Sequence, residues 1–107
     1  LNNWYPGKIV DDARYRVKDV NLLAAAARQA FFDCLPIAGQ ATDKIYRALP
    51  HGRSLELFFL DLRTYRGPNT PNRQTAMSAE TAYLGREQLD DLKRRLAASP
   101  ATWKIIC

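Results

Sequence analysis

Leucines recur every three or four positions near the carboxyl end of the chain. Their spacing predicts an α-helix over residues 85–98 with one buried face, formed by Leu89, Leu92 and Leu96. Two pairs of opposite charge lie four positions apart elsewhere on this helix: Asp90 with Arg94, and Asp91 with Arg95. We expect these to be ion pairs on a solvated face. The apolar residues 102–107 that follow predict a β-strand.

A second helix is predicted near the amino end, where alanine dominates. Residues 22–32 are dense in strong helix formers, Asn21 is a candidate N-cap, and Pro36 is a stop signal. Residues 1–19 have no sustained period and predict a surface loop.

Two strands are predicted in the middle of the chain, over residues 44–49 and 54–60. The Pro50-His51-Gly52 segment between them favours an antiparallel hairpin, with His51 as a surface turn residue. The second strand is almost continuously apolar, which indicates burial on both faces. Because this strand, the last helix and the last strand follow one another, we expect a right-handed βαβ unit with parallel strands.

A long polar segment, residues 61–84, separates the second strand from the last helix, and we call it the arginine loop. It carries three arginines: Arg63, Arg66 and Arg73. Residues 62–79 contain no Asp or Glu. Ligands of open α/β sheets bind beyond the carboxyl ends of strands, and Asp61 lies at such an end. Guanidinium groups bind phosphate through paired N–H donors, so the loop predicts an anion site, with phosphate as the favoured anion. An equally weighted alternative is structural, with Asp61 paired to Arg63 or Arg66 to pin the loop.

Composition is that of a globular chain without a membrane span. The 107 residues are 47% hydrophobic and 25% charged. The longest run of small apolar residues, 22–27, is far shorter than the roughly 18 residues that a span needs. The net charge of +5 comes from basic residues spread along the chain, so it permits nucleic-acid contact without predicting it.

The cysteines, the histidine and one tryptophan give little functional signal. Two cysteines and one histidine offer no zinc-site spacing. Cys34 lies in an apolar run and is expected to be a buried free thiol, in preference to a disulfide with Cys107. Trp103 is expected to pack the sheet against a helix.

The two ends of the chain indicate a piece of a larger protein. It opens at Leu1 without an initiator Met or a targeting segment, and it stops at Cys107 directly after an apolar strand. We therefore treat residues 1–107 as a single segment, an internal part of a larger domain.

An ordered series of motifs across nearly the whole chain resembles the PhoD-like phosphatases, also called alkaline phosphatase D. The series comprises Asn2-Asn3-Trp4, Asp33-Cys34-Leu35-Pro36-Ile37, Ile45-Tyr46-Arg47, LFFLDLRTYR at 57–66, Leu84-Gly85 with Gln88, and SPATWKII at 99–106. The order of the series is more specific than any one motif.

The resemblance implies a metal-dependent phosphomonoesterase or phosphodiesterase with a calcineurin-like α/β sandwich. The fold expected for this chain is α/β, a partial sandwich containing a βαβ unit, an Ala-rich helix and a short antiparallel hairpin. Many family members are exported through a twin-arginine signal, so a periplasmic or extracellular location is implied. The implied cofactors are divalent or trivalent metal ions of the Ca, Fe or Zn type, and the implied substrate is a phosphate ester.

The family's metal-ligand motifs fall outside this chain. An Asp-Asp-His-Glu motif precedes the position that matches Leu1, and a Gly-Asp-x-His motif follows the position that matches Cys107. The resemblance therefore implies a segment with no catalytic or metal-ligating residue of its own, inactive without the remainder of its parent chain.

Four residues are carried over as candidates for the substrate side of the pocket. Arg63 and Arg66 match the family's Asp-x-Arg-x-Tyr-Arg stretch, and Asn2 and Asn3 match its paired asparagines. The alternative function is a stand-alone basic α/β module that binds phosphate-bearing partners such as nucleic acid.

Overall fold

The computed structural model describes residues 1–71 and 73–107, and its mixed α/β architecture confirms the predicted fold class. In chain order its elements are α1 (Val20–Cys34), β1 (Arg47–His51), β2 (Leu55–Phe59), α2 (Arg86–Ala98) and β3 (Trp103–Ile106). In the described residues neither helix is long and apolar enough to cross a membrane.

The three strands form one sheet in the order β1-β2-β3. β1 and β2 are antiparallel, with His51 opposite Leu55. β2 and β3 are parallel, with Leu55 opposite Trp103. The predicted hairpin and the predicted parallel strand–helix–strand unit are therefore both confirmed.

The first strand begins three residues later than predicted and includes the proposed turn. β1 contains Pro50 and His51, and the turn lies at residues 52–54. Proline is tolerated here because β1 is an edge strand of this sheet, where one side needs no N–H donor. His51 is exposed, as expected, but it ends a strand.

α1 begins one residue before the predicted cap. Its N-cap is Asp19, whose Oδ1 accepts a hydrogen bond of 2.8 Å from the amide of Asn21. The prediction that Cys34 is a free thiol is confirmed, but the prediction that it is buried was wrong, because the residue is exposed. A helix turns by about 100° per residue, so burial of Phe32 leaves the position two residues later on a different side.

α2 begins one residue later than predicted, ends where predicted, and has a different buried residue. Its leucines are only half-buried, and its fully buried side chain is that of Gln88, at 1% exposure. Asp91 pairs with both Arg94 and Arg95. The predicted pair of Asp91 with Arg95 is confirmed, whereas Arg94 turns to Asp91 and not to Asp90.

The apolar core is small, and two predictions about it were wrong. β2 is not covered on both faces, since only Phe58 of this strand is buried. Trp103 is 69% exposed and does not lie in the core. Trp103 is exposed because β3 is an edge strand of this sheet, so its side chains have a neighbouring strand on one side only.

The base of the arginine loop is closed by contacts between its two arms. The amide of Gly67 donates to the carbonyl of Ala82 at 2.8 Å. The backbone of Gly85 lies against Tyr65, so close that a Cβ on Gly85 would be 2.8 Å from the Tyr65 Cβ. Residues 61–67 therefore run beside residues 82–88, and the intervening residues form the tip.

We predict that Gly85→Ala destabilises the chain more than Gly52→Ala does. Both glycines have positive φ, +76° and +65°, but a Cβ at Gly52 meets nothing within 4 Å. Gly52→Ala should cost about 1–2 kcal/mol from backbone strain alone. Gly85→Ala should cost about 1–3 kcal/mol more, because overpacking against Tyr65 adds to that strain. Urea unfolding of the two variants measures the difference, and equal losses would contradict the close contact.

Candidate functional site

Asp61 shapes the start of the arginine loop. The residue is buried, with 6% exposure, two positions after the end of β2. Oδ1 accepts hydrogen bonds of 2.9 Å from the amides of both Arg63 and Thr64. In the described part of the chain Asp61 makes no ion pair, so it pins the loop through backbone amides and not through a guanidinium group.

Gln88 of α2 holds Asp61 from the other side. Its Oε1 accepts from the Asp61 amide at 2.7 Å, and its Nε2 donates to the Asp61 carbonyl at 2.9 Å. The same Nε2 donates to the carbonyl of Leu84 at 2.7 Å. The end of β2 and the first turn of α2 are therefore joined by a side-chain amide.

Arg63 has a guanidinium nitrogen that is buried and unpaired. Its Nη1 is buried and has no hydrogen-bond partner among the described residues, and the same is true of Oδ2 of Asp61. Buried polar atoms are nearly always hydrogen-bonded in folded proteins. A desolvated N–H donor of this kind favours an anionic acceptor.

Arg66 is held by its neighbours in the loop. Its Nη2 donates to Oδ1 of Asn69 at 2.8 Å. Its guanidinium lies 5.2 Å from the centre of the Tyr83 ring, within the range of a cation–π contact. Arg66 therefore has a defined orientation on the same arm of the loop as Arg63.

The asparagine pair at the amino end meets the arginine loop through its backbone. Nδ2 of Asn69 donates to the carbonyl of Asn3 at 2.9 Å, so Asn69 bridges Asn3 and Arg66. Asn3 has φ +48°, a left-handed conformation that asparagine tolerates. Asn2 is exposed. No hydrogen bond joins Arg63 to either asparagine within residues 1–71 and 73–107.

An open groove of about 630 Å³ runs along α1 between the amino end and the arginine loop. Apolar side chains dominate its walls: Leu1, Trp4, Tyr15, Leu23, Ala24, Phe31 and Ile45. Thr64, next to Arg63, also lines it. The groove places the first residues of the loop beside the amino-terminal segment.

Two groups of titratable side chains have perturbed pKa values near the loop. Burial raises the pKa of Tyr65, and the neighbouring Tyr46 and Asp61 add to the effect. The rings of Tyr65 and Tyr46 meet edge to face, with centres 5.4 Å apart. Across from them, the hydrogen bond from Lys44 lowers the pKa of Glu87, and that bond raises the pKa of Lys44.

The described residues do not fit a metal centre. No group of three or more His, Cys, Asp or Glu side chains converges among them. Oδ1 of Asp61 already accepts two backbone amides. Arg73 is exposed at the tip of the loop, beside Asn72, which lies outside the described residues.

Sequence patterns contained only part of the signal for this arrangement. Gln88 lies four and eight positions before Leu92 and Leu96, so it falls on the leucine face of the helix. A polar residue on an apolar face indicates a buried side chain whose polar atoms are hydrogen-bonded nearby. Asn69 carried no comparable signal, since its partner Asn3 is 66 positions away.

We predict that Tyr65→Phe reduces the loss of stability at high pH. The pKa of Tyr65 is raised in the folded chain, so its contribution is present below the ordinary tyrosine value of about 10 and is lost as pH rises through the folded value. Unfolding free energies at a series of alkaline pH values measure the effect. Tyr83→Phe removes an exposed phenol and is the control. Parallel curves for the wild type and Tyr65→Phe would contradict the prediction.

Comparisons with known proteins agree on one family. A solved structure described as the structure of PhoD is similar, with a TM-score of 0.69 and 28% sequence identity. The similarity covers 97% of this chain and 22% of that chain. No curated protein sequence matches.

The chain thus spans about a fifth of the length of the solved structure that it matches. The family model described as PhoD-like phosphatase matches residues 1–107, which is the whole of the sequence. The chain therefore belongs to the PhoD-like phosphatase family.

Proposed function

We propose that this chain is an internal part of a phosphoric ester hydrolase and forms one wall of its substrate pocket. In this proposal Arg63 and Arg66 contact the phosphate group of a phosphomonoester or phosphodiester. Asn2 and Asn3 lie on the same side of the pocket. No residue of the chain performs the bond-breaking step.

The buried and unpaired Nη1 of Arg63 is the observation that carries this proposal. A guanidinium group without an anionic partner is stabilised when phosphate oxygens replace lost water. The nearest carboxylate in sequence, Asp61, uses Oδ1 for two backbone amides, and its Oδ2 has no hydrogen-bond partner among the described residues. Arg63 makes no ion pair in the described part of the chain, so a phosphate group would be its first anionic partner there.

The arrangement around Arg66 supports a second contact with the same phosphate group. Asn69 and Tyr83 fix the guanidinium, which lowers the entropy that binding would otherwise cost. The bridge from Asn69 to Asn3 brings the amino-terminal segment to this point. The chain's part in the reaction is to bind the phosphate, orient it and offset its charge.

The metal ions of the proposed enzyme, of the Ca, Fe or Zn type, would be held by residues outside this chain. The described residues themselves do not fit a metal centre. When bound, such an ion would activate a nucleophile and neutralise phosphoryl oxygens.

Exposed apolar surface supports the proposal that the chain is part of a larger domain. Trp103, Ile105 and Ile106 of the edge strand β3 are 69%, 48% and 51% exposed. The groove along α1 is a second apolar surface. Large exposed apolar patches usually mark surfaces that bind other protein segments. The remainder of the parent chain is the proposed partner, and by family likeness the enzyme would be periplasmic or extracellular.

We predict that Arg63→Ala in the full-length enzyme weakens phosphate binding. A charge-assisted hydrogen bond is worth about 1.5–3 kcal/mol, so the Ki of inorganic phosphate should rise roughly tenfold or more. Arg63→Lys should recover only part of the loss, because an ammonium group lacks the planar pair of N–H donors that matches two phosphate oxygens.

Steady-state hydrolysis of p-nitrophenyl phosphate, with phosphate as the inhibitor, measures both effects. The control is Arg53→Ala, which removes an exposed arginine from the β1–β2 turn. An Arg63→Ala variant with the wild-type Ki would contradict the proposed contact.

We also predict that the 107-residue chain alone does not hydrolyse phosphoesters, even with added Ca²⁺, Fe³⁺ or Zn²⁺. Its described residues supply no metal cluster that would activate a nucleophile. A chromogenic phosphoester assay tests this, and turnover at the rate of a competent phosphatase would overturn it. Steep salt-dependent binding to an oligonucleotide, with no activity in the full-length protein, would instead favour the nucleic-acid-binding module.

A further inference from the structure

Gln88 is a polar side chain where the helix pattern calls for an apolar one. It lies on the leucine face of α2 and is 1% exposed, more deeply buried than any leucine of that helix. Burying an amide group costs free energy unless each of its polar atoms is hydrogen-bonded. A leucine or methionine of similar size would fill this position without that requirement. The amide therefore serves something other than packing.

The side-chain amide of Gln88 hydrogen-bonds to both the backbone N–H and the backbone carbonyl of one residue, Asp61. Its Oε1 and Nε2 bond to the amide and the carbonyl of Asp61 at 2.7 and 2.9 Å. This two-bond arrangement is the one that a neighbouring strand makes with a hydrogen-bonded residue of an antiparallel sheet. Gln88 thus takes the place of a strand partner just where β2 ends.

Fixing the backbone of Asp61 also fixes its carboxylate. Oδ1 of Asp61 accepts from the amides of Arg63 and Thr64, and those two bonds set the turn on which the Arg63 side chain is carried. A chain of hydrogen bonds therefore runs from α2 through Asp61 to the backbone of Arg63. All of the atoms in the first link are buried, so water does not compete for them.

We propose that Gln88 is a positioning residue, which holds Arg63 in the orientation that binds the phosphate group of the substrate. This rests on the proposed function, because it needs Arg63 to be a phosphate contact. Gln88 does not touch the substrate. It acts through Asp61, and its removal leaves the arginine present but misdirected.

Gln88→Met separates positioning from packing. Methionine has a similar length and fills the same buried space, but it offers no hydrogen bond to either backbone group of Asp61. The Ki of inorganic phosphate for the full-length enzyme should rise about fivefold. This is the change expected when the binding free energy falls by about the net value of one hydrogen bond. Lys93→Gln, at an exposed position of the same helix, should leave the Ki unchanged.

A double-mutant cycle with Arg63→Ala distinguishes positioning of Arg63 from a purely structural role. It measures whether the effect of Gln88→Met on the Ki depends on the presence of Arg63. If Gln88 acts through Arg63, then Gln88→Met should change the Ki less than about twofold once Arg63 is already alanine. A general loss of stability would instead multiply the two effects. Thermal unfolding of each variant is measured in parallel, so that the Ki values refer to folded protein.

The same chain of hydrogen bonds can be broken without touching α2. Asp61→Asn keeps a side-chain oxygen for the amides of Arg63 and Thr64, whereas Asp61→Ala removes it. Asp61→Ala should therefore raise the Ki more than Asp61→Asn does. If Gln88→Met fails to fold, equal Ki values for Asp61→Ala and Asp61→Asn would still overturn the proposal, because the role of Gln88 depends on the link from Asp61 to Arg63.

The outcomes separate the two proposals. If Arg63→Ala raises the Ki but Gln88→Met does not, or if the two effects multiply, the positioning role of Gln88 is wrong and the phosphate contact stands. If Arg63→Ala leaves the Ki unchanged, the phosphate contact is wrong and the positioning role is rejected with it. Both proposals are supported if Arg63→Ala and Gln88→Met each raise the Ki and their effects are not additive in the double variant.

Discussion

The hydrogen bonds between the Gln88 side chain and the Asp61 backbone join three parts of the structure at the candidate site. They connect the end of β2, the first turn of α2 and the first residue of the arginine loop. Both residues are more than nine-tenths buried. In such surroundings an unmade hydrogen bond costs about 1–3 kcal/mol, so separating these parts would be costly. The closed base of the loop follows from this link, with Gly85 and Gly67 providing the close approach that the two arms require.

Much of the secondary structure could be predicted because local patterns determine it. The leucine period of α2 and the apolar run of β3 are read within a few residues, and the parallel pairing of β2 with β3 follows from their connection. Burial was harder to predict. Trp103 and Cys34 are exposed although their apolar surroundings in sequence indicated a core. Burial depends on everything that surrounds a side chain, and this segment corresponds to 22% of the length of the similar PhoD structure.

For the site, residue types predicted a chemistry, which stays a prediction, but not the contacts that shape it. A loop with three arginines and no carboxylate between residues 62 and 79 indicates an anion site from residue types alone. The use that Asp61 makes of its carboxylate was not predictable, since an acceptor beside two arginines suits a guanidinium and a backbone amide equally. The bridges made by Gln88 and Asn69 join residues 27 and 66 positions apart. No period or motif carries information over such separations, so these contacts depend on the fold.

The closed base of the loop also divides its arginines into two kinds. Arg63 and Arg66 lie on the arm of residues 61–67, which is paired with residues 82–88, whereas Arg73 lies at the exposed tip. A guanidinium that is already oriented loses less conformational entropy when it binds an anion than one at the end of a mobile side chain. Three arginines of equal charge can therefore contribute unequally to anion binding. An interpretation based on the net charge of +5 would treat Arg63, Arg66 and Arg73 alike. Under the proposed function, the paired arm concentrates the binding free energy in Arg63 and Arg66, and the amide of Gln88 keeps the first of these in place.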